Sequence, residues 1–117
     1  MKSPFTEKEI KYFRKILKKE EKAIDKEIAA VRQLLDDQKY YIERTEMDFG
    51  SDASKIRNRE MLQKMHKRLR ARKKDHADAL QKIKSGRYGI CEKTGKKISK
   101  QRLMALPTAR TSIRMKA

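Results

Sequence analysis

The sequence predicts a mainly α protein, a long antiparallel two-helix coiled-coil hairpin followed by a small C-terminal module. Two apolar stripes at three- and four-residue spacing, within residues 10–42 and 62–83, are the first observation. The second is a polar, Gly-containing run between them, together with the loss of all periodicity after Gly86. The third is composition: 42% of the 117 residues are charged, 37% are hydrophobic and Trp is absent. That apolar content is too small for a thick globular core and suits paired amphipathic helices. The sequence divides into residues 1–85, the hairpin with its tip near 46–54, and residues 86–117, the module.

The first helix starts at a capping box. In Thr6-Glu7-Lys8-Glu9 the Thr6 hydroxyl accepts from the Glu9 amide while the Glu9 carboxylate reaches back, and Phe5 with Ile10 makes a hydrophobic staple. Ile10, Phe13, Leu17, Ile24, Val31, Leu34 and Tyr41 then form one stripe, with Ile28, Leu35 and Ile42 beside it. The run from Asp48 to Ser54 favours a turn, with Ser51, Asp52 or Ser54 capping the next helix. A weaker stripe follows in Leu62, Met65, Leu69, His76, Ala79, Leu80 and Ile83, with Arg72 on its seam, and ends at Lys84-Ser85-Gly86. Neither stripe alone sustains a helix, so the two fold back on each other over roughly 45–55 Å at about 1.5 Å per residue. A parallel dimeric coiled coil running through the turn is the alternative that Gly50 disfavours.

Beyond Gly86, residues 87–98 read as two short extended pieces around a turn at Thr94-Gly95. A brief helical turn within residues 99–106 precedes Pro107, and residues 108–117 begin a further helix. Such a short tail folds only by docking on the open end of the hairpin.

The formal net charge is +17, and it is unevenly placed: residues 51–117 hold 21 basic and 5 acidic side chains, while residues 1–50 hold 12 and 11. A field of that sign attracts polyanions. Lys67, Arg68, Arg70, Arg72, Lys73 and Lys74 concentrate it on the second helix, which gives one functional reading: a basic helical arm that binds nucleic acid through phosphates. With no aromatic among them, stacking on single strands is not indicated. One Cys excludes a disulfide framework within the chain. No stretch reaches the roughly 20 apolar residues of a membrane span, and Met-Lys-Ser-Pro-Phe-Thr leads into no apolar signal core. The expectation is a cytoplasmic protein without membrane contact. Nothing resembles a nucleophile–base pair or a phosphate loop, so no enzyme is expected.

The stretch from Ala79-Leu80 through Ile83, Gly86, Tyr88-Gly89 and Cys91, followed by Thr94-Gly95, Arg102-Leu103, Ala105 and Pro107-Thr108-Ala109, resembles the DksA/TraR family. The family signature is A-L-x-x-I-x-x-G-x-Y-G-x-C-x-x-C-G, then R-L-x-A-x-P-x-A-x-x-C-x-x-C, and the match covers about a third of the chain. The resemblance implies a bacterial transcription regulator, monomeric, that binds RNA polymerase and inserts its coiled-coil tip into the secondary channel. It implies tip residues Asp48, Asp52 and Ala53, although D-x-x-x-D-A is one residue longer than the family spacing. Asp48 and Asp52 equally suit shaping the turn and capping the helix.

The same resemblance implies a zinc-ribbon-like module, yet its four ligand positions fall on Cys91, Thr94, Ser112 and Met115. Zinc takes about four thiolate or imidazole ligands, so no metal and no cofactor are expected. Apolar packing of Tyr88, Ile90, Ile98, Leu103, Leu106 and Ile113, at ~1.5–3 kcal/mol for each side chain fully buried, takes its place. Cys91 is then a small buried hydrophobe or, in the sharper reading, a redox-sensing thiol near Lys93. His66 and His76 are ordinary helix residues. Of the basic positions the family uses for ppGpp, two fall on Asp75 and Leu106 and one remains as Lys116, while Lys73, Lys74 and Arg110 lie near. Binding of ppGpp is not carried over.

Overall fold

The computed structural model describes residues 3–44 and 49–112, and side chains within 3–39 and 53–112. Helix α1 spans Glu7–Arg44, α2 Phe49–Lys84 and α3 Lys100–Ala105. Two compact units divide the chain: Met1–Lys22 with Lys74–Ala117, and Ala23–Lys73.

In the unit Ala23–Lys73, Ile24, Val31, Leu62 and Leu69 are buried, with Ile28 and Leu35 packed against them. Lys73 Nζ lies 2.7 Å from Asp25 Oδ1, and Arg59 Nη1 donates to the Leu35 carbonyl at 3.2 Å. Advancing along α1 thus means retreating along α2, which makes the pairing antiparallel. Three stripe positions differ from expectation. Leu34 and Met65 are about half exposed, and their neighbours Leu35 and His66 turn inward instead. Arg72 is exposed, and Lys73 takes the place beside the seam. Each helix offers two adjacent residues at these points, both at three- or four-residue steps from their neighbours, and packing against the partner helix selects between them.

Helix α2 begins earlier than the polar composition implies, since residues 49–54 already belong to it. Gly50 sits in the first turn of this 36-residue helix, clear of the interior positions where Gly costs about 1 kcal/mol. Asp48 and residues 45–47 lie outside the described residues, as do the side chains of Tyr41, Ile42, Ser51 and Asp52.

The other unit begins with the expected capping box: Thr6 N–H donates to Glu9 Oε1 at 3.0 Å and Glu9 N–H to Thr6 Oγ1 at 3.2 Å. Its core joins Phe5, Phe13, Leu17, Ala79, Tyr88, Cys91, Ile98 and Leu103. The Phe13 ring meets Phe5 edge-on at 5.9 Å and Tyr88 at 5.5 Å between centroids, pairs worth ~0.5–1.5 kcal/mol each beyond their burial. His76, 5% exposed, points Nε2 at Glu20 Oε2, 3.1 Å away.

Two extended pieces give only one antiparallel bridge, Ile90 with Lys97, around the Gly95 turn. Ser99 caps α3 by accepting from the Arg102 amide. Leu106, expected inside, is 43% exposed. Pro107 is buried instead, and its carbonyl accepts from the Tyr88 hydroxyl at 2.7 Å. Residues 108–112 are not helical, and Ile113 to Ala117 lie outside the described residues.

Candidate functional site

Three groups of candidate residues have different fates. At the tip, Asp48 is outside the described residues, Asp52 lies in the first turn of α2 with its side chain undescribed, and Ala53 is exposed. The basic candidates Lys67, Arg68, Arg70, Arg72, Lys73 and Lys74 are all exposed on α2. Lys73 is committed to Asp25, and Lys74 helps hold the Asp78 carboxyl below its ordinary value.

The third group is brought together. Cys91 is 1% exposed, and the Thr94 hydroxyl is the largest influence on its thiol, joined by backbone donors of Ser112, Thr94 and Lys93. Burial opposes ionisation, but these donors outweigh it and draw the thiol down to about 6 from an ordinary 9.0. The local chain is shaped for this: Cys91 N–H donates to the Lys96 carbonyl and Gly95 N–H to the Cys91 carbonyl, both at 2.8 Å. Three of the four family ligand positions therefore converge, while Met115 is outside the described residues.

The donor set does not fit zinc. One thiol and two hydroxyls lack the soft or imidazole ligands that a closed tetrahedral site takes. Among the described residues no group of three His, Cys, Asp or Glu side chains is close enough to hold a metal ion.

A second constellation had no signal in the sequence. Arg110 Nη2 contacts Asp75 Oδ1 at 3.0 Å and Asp78 Oδ2 at 2.5 Å, and its Nη1 lies 3.4 Å from Glu92 Oε1. Lys82 Nζ reaches the same Glu92 oxygen at 2.7 Å. Arg110 and Lys82 hold the Asp78 and Glu92 carboxyls below their ordinary values, and the carboxylates raise Arg110 in turn. The Glu92 amide also donates to the Arg110 carbonyl at 2.9 Å. These partners stand 32 and 35 residues from Arg110, so no local pattern announces them. Two of the three cations near the family's ppGpp positions, Lys73 and Arg110, are thus already engaged with carboxylates.

No helix among the described residues is long and apolar enough to cross a membrane.

Residues 86–114 match the family described as prokaryotic dksA/traR C4-type zinc finger. General stress protein 16O of Bacillus subtilis (strain 168) is 54% identical over 39 residues, 33% of this chain and 24% of that protein. The uncharacterized protein YteA of the same organism is 41% identical over 64 residues, 53% of this chain and 26% of that one. The chain thus spans about a quarter of the length of these curated relatives. The solved structure of transcription factor DksA2 from Pseudomonas aeruginosa superposes with a TM-score of 0.83 at 26% identity, over 94% of this chain and 81% of that one. Two long paired helices, a zinc-finger segment and a shared architecture along most of the chain converge: residues 86–114 carry the dksA/traR-type segment, and the chain shares the fold of transcription factor DksA2.

Proposed function

We propose that this chain is a transcription regulator that associates with RNA polymerase and inserts its coiled-coil tip into the secondary channel to modulate initiation. The observation that carries the reading is the architecture common to this chain and transcription factor DksA2, two long helices bearing one small module. In this reading residues 1–85 are the inserted arm, Asp48, Asp52 and Ala53 are its working tip, and residues 86–117 position the arm at the channel mouth. The protein acts by contact rather than by catalysis, as a cytoplasmic monomer whose module holds no zinc.

Titrating labelled protein with core RNA polymerase from the same source, at near-physiological salt and with excess duplex competitor, tests the reading. Saturable binding that survives the competitor, with regulation lost in Asp48→Asn/Asp52→Asn, is the expected result. Absence of saturable binding sinks it. Regulation that persists in the double variant removes the tip assignment.

A further inference from the structure

In the unit Ala23–Lys73 the charge is segregated between the two helices. Residues 53–73 of α2 carry nine basic side chains and one acidic, Glu60, whereas residues 23–44 of α1 carry four basic and five acidic. Once the seam is fixed by Leu62, His66, Leu69 and Lys73, the register follows for every other position. Arg57, Lys64, Lys67, Arg68, Arg70 and Arg72 then stand off the seam, and all six are exposed. Among the described residues no carboxylate makes a salt bridge with Lys64, Lys67, Arg68 or Arg70. Their positions surround α2 on every side but the seam. From Arg57 to Arg72 they extend about 22 Å at 1.5 Å per residue.

We propose that this outer face of α2 docks on the phosphate backbone of duplex DNA without reading its sequence. Charge complementarity selects the occupant. A duplex presents one negative charge per about 1.7 Å of its axis, so a strip of this length faces a near-continuous row of phosphates. Cations emerging from five of the seven heptad positions suit a repetitive polyanion better than a few fixed carboxylates. The exposed large apolar residues of this stretch of α2, Ile56, Met61 and Met65, include no aromatic anchor of the kind a specific protein interface centres on. In the polymerase reading this face belongs to the inserted arm, so duplex and channel are alternative occupants of α2, while the polymerase reading itself rests on the tip and on the architecture and is tested separately.

Fluorescence anisotropy of the full chain with two labelled 30-base-pair duplexes of unrelated sequence, across ~50–200 mM salt, tests the proposal. Engaging about four phosphates predicts equal affinity for both duplexes and a loss of roughly 100-fold or more over that range. The variant Lys64→Gln/Lys67→Gln/Arg68→Gln, outside the seam and checked for helicity by circular dichroism, should flatten the logarithmic salt slope by about 2.7. Lys8→Gln/Lys11→Gln/Lys15→Gln removes the same charge from exposed positions of α1 and should leave the slope unchanged. The proposal is overturned by no binding at low salt, by a strong preference between duplexes, or by equal effects of the two variants. Displacement by polyglutamate as effective as by unlabelled duplex also overturns it and assigns the face to an acidic protein surface.

Discussion

The Phe5 ring occupies the space that a Cβ on Gly89 would take, and Gly89 has φ +85°. The N-terminal aromatic therefore lies directly on the backbone of the C-terminal module, with Lys97 Nζ 4.8 Å from the ring centroid. A left-handed residue with a side chain costs roughly 1–2 kcal/mol, and at Gly89 the ring has to move as well. Gly89→Ala should lower stability in urea melts by more than Gly86→Ala, whose φ is +76° but whose added Cβ meets open space. Equal losses would show that the ring contact contributes nothing.

Arg110 links the chain after Pro107 to α2 through Asp75 and Asp78. The Asp78 and Glu92 carboxyls are held below their ordinary 3.8 and 4.5, so the folded state favours their charged forms. That contribution is present above the ordinary values and is lost as pH falls through the lowered ones. Arg110→Met should lower the melting temperature at neutral pH and flatten the acid limb of a stability–pH profile. Because Lys82 is the main cause of the Glu92 shift and Arg110 that of Asp78, a variant with an unchanged acid limb would show that Arg110 does not hold the Asp78 carboxyl down.

His66 Nε2 and Gln38 Oε1 are buried with no hydrogen-bond partner among the described residues. Leaving a buried polar atom unsatisfied costs about 1–3 kcal/mol. His66→Leu should stabilise the protein by about 1 kcal/mol or more in chemical denaturation, and destabilisation would disprove the burial.

Cys91 ionises near 6 because Thr94 and neighbouring backbone donors face its sulfur. Since the folded value lies below the ordinary 9.0, the resulting stability is complete above the ordinary value and disappears as pH falls through about 6. Thiolate absorbance at 240 nm should titrate near 6 in the native protein and move upward in Thr94→Val. With Cys91 only 1% exposed, labelling by thiol reagents should be slow until denaturant opens the module. Fast labelling of the native protein would favour the redox-sensing role over burial.

The module should also be indifferent to metal. Adding EDTA should leave the melting temperature unchanged, because Thr94 and Ser112 stand where thiolates would close a zinc site. A chelator-induced drop would overturn the donor-set argument.

Much of the fold was legible because its signals are local. The Thr6–Glu9 capping box, the stripe of Phe13, Leu17, Ile24 and Val31, and the Gly95 turn each depend on residues within a few positions of one another. Leu34 with Leu35, and Met65 with His66, were not resolvable, because each is a choice between neighbours that the opposite helix makes. Leu106 fails for a similar reason: the Tyr88 hydroxyl bonds the Pro107 carbonyl and sets which residue turns inward. The tip residues were readable only by resemblance. The Arg110 clamp pairs residues that share nothing but the folded geometry.

Ser3 donates through its amide to the Gly86 carbonyl and through its hydroxyl to the Tyr88 carbonyl, 85 residues away. Translation delivers Ser3 long before Gly86 and Tyr88. While α1 is being synthesised, Phe5 and Phe13 have no module to cover them, so they emerge from the ribosome as exposed aromatics. Their burial waits until the segment around Tyr88 has cleared the exit tunnel, and the rate of closure is then governed by a loop spanning most of the chain.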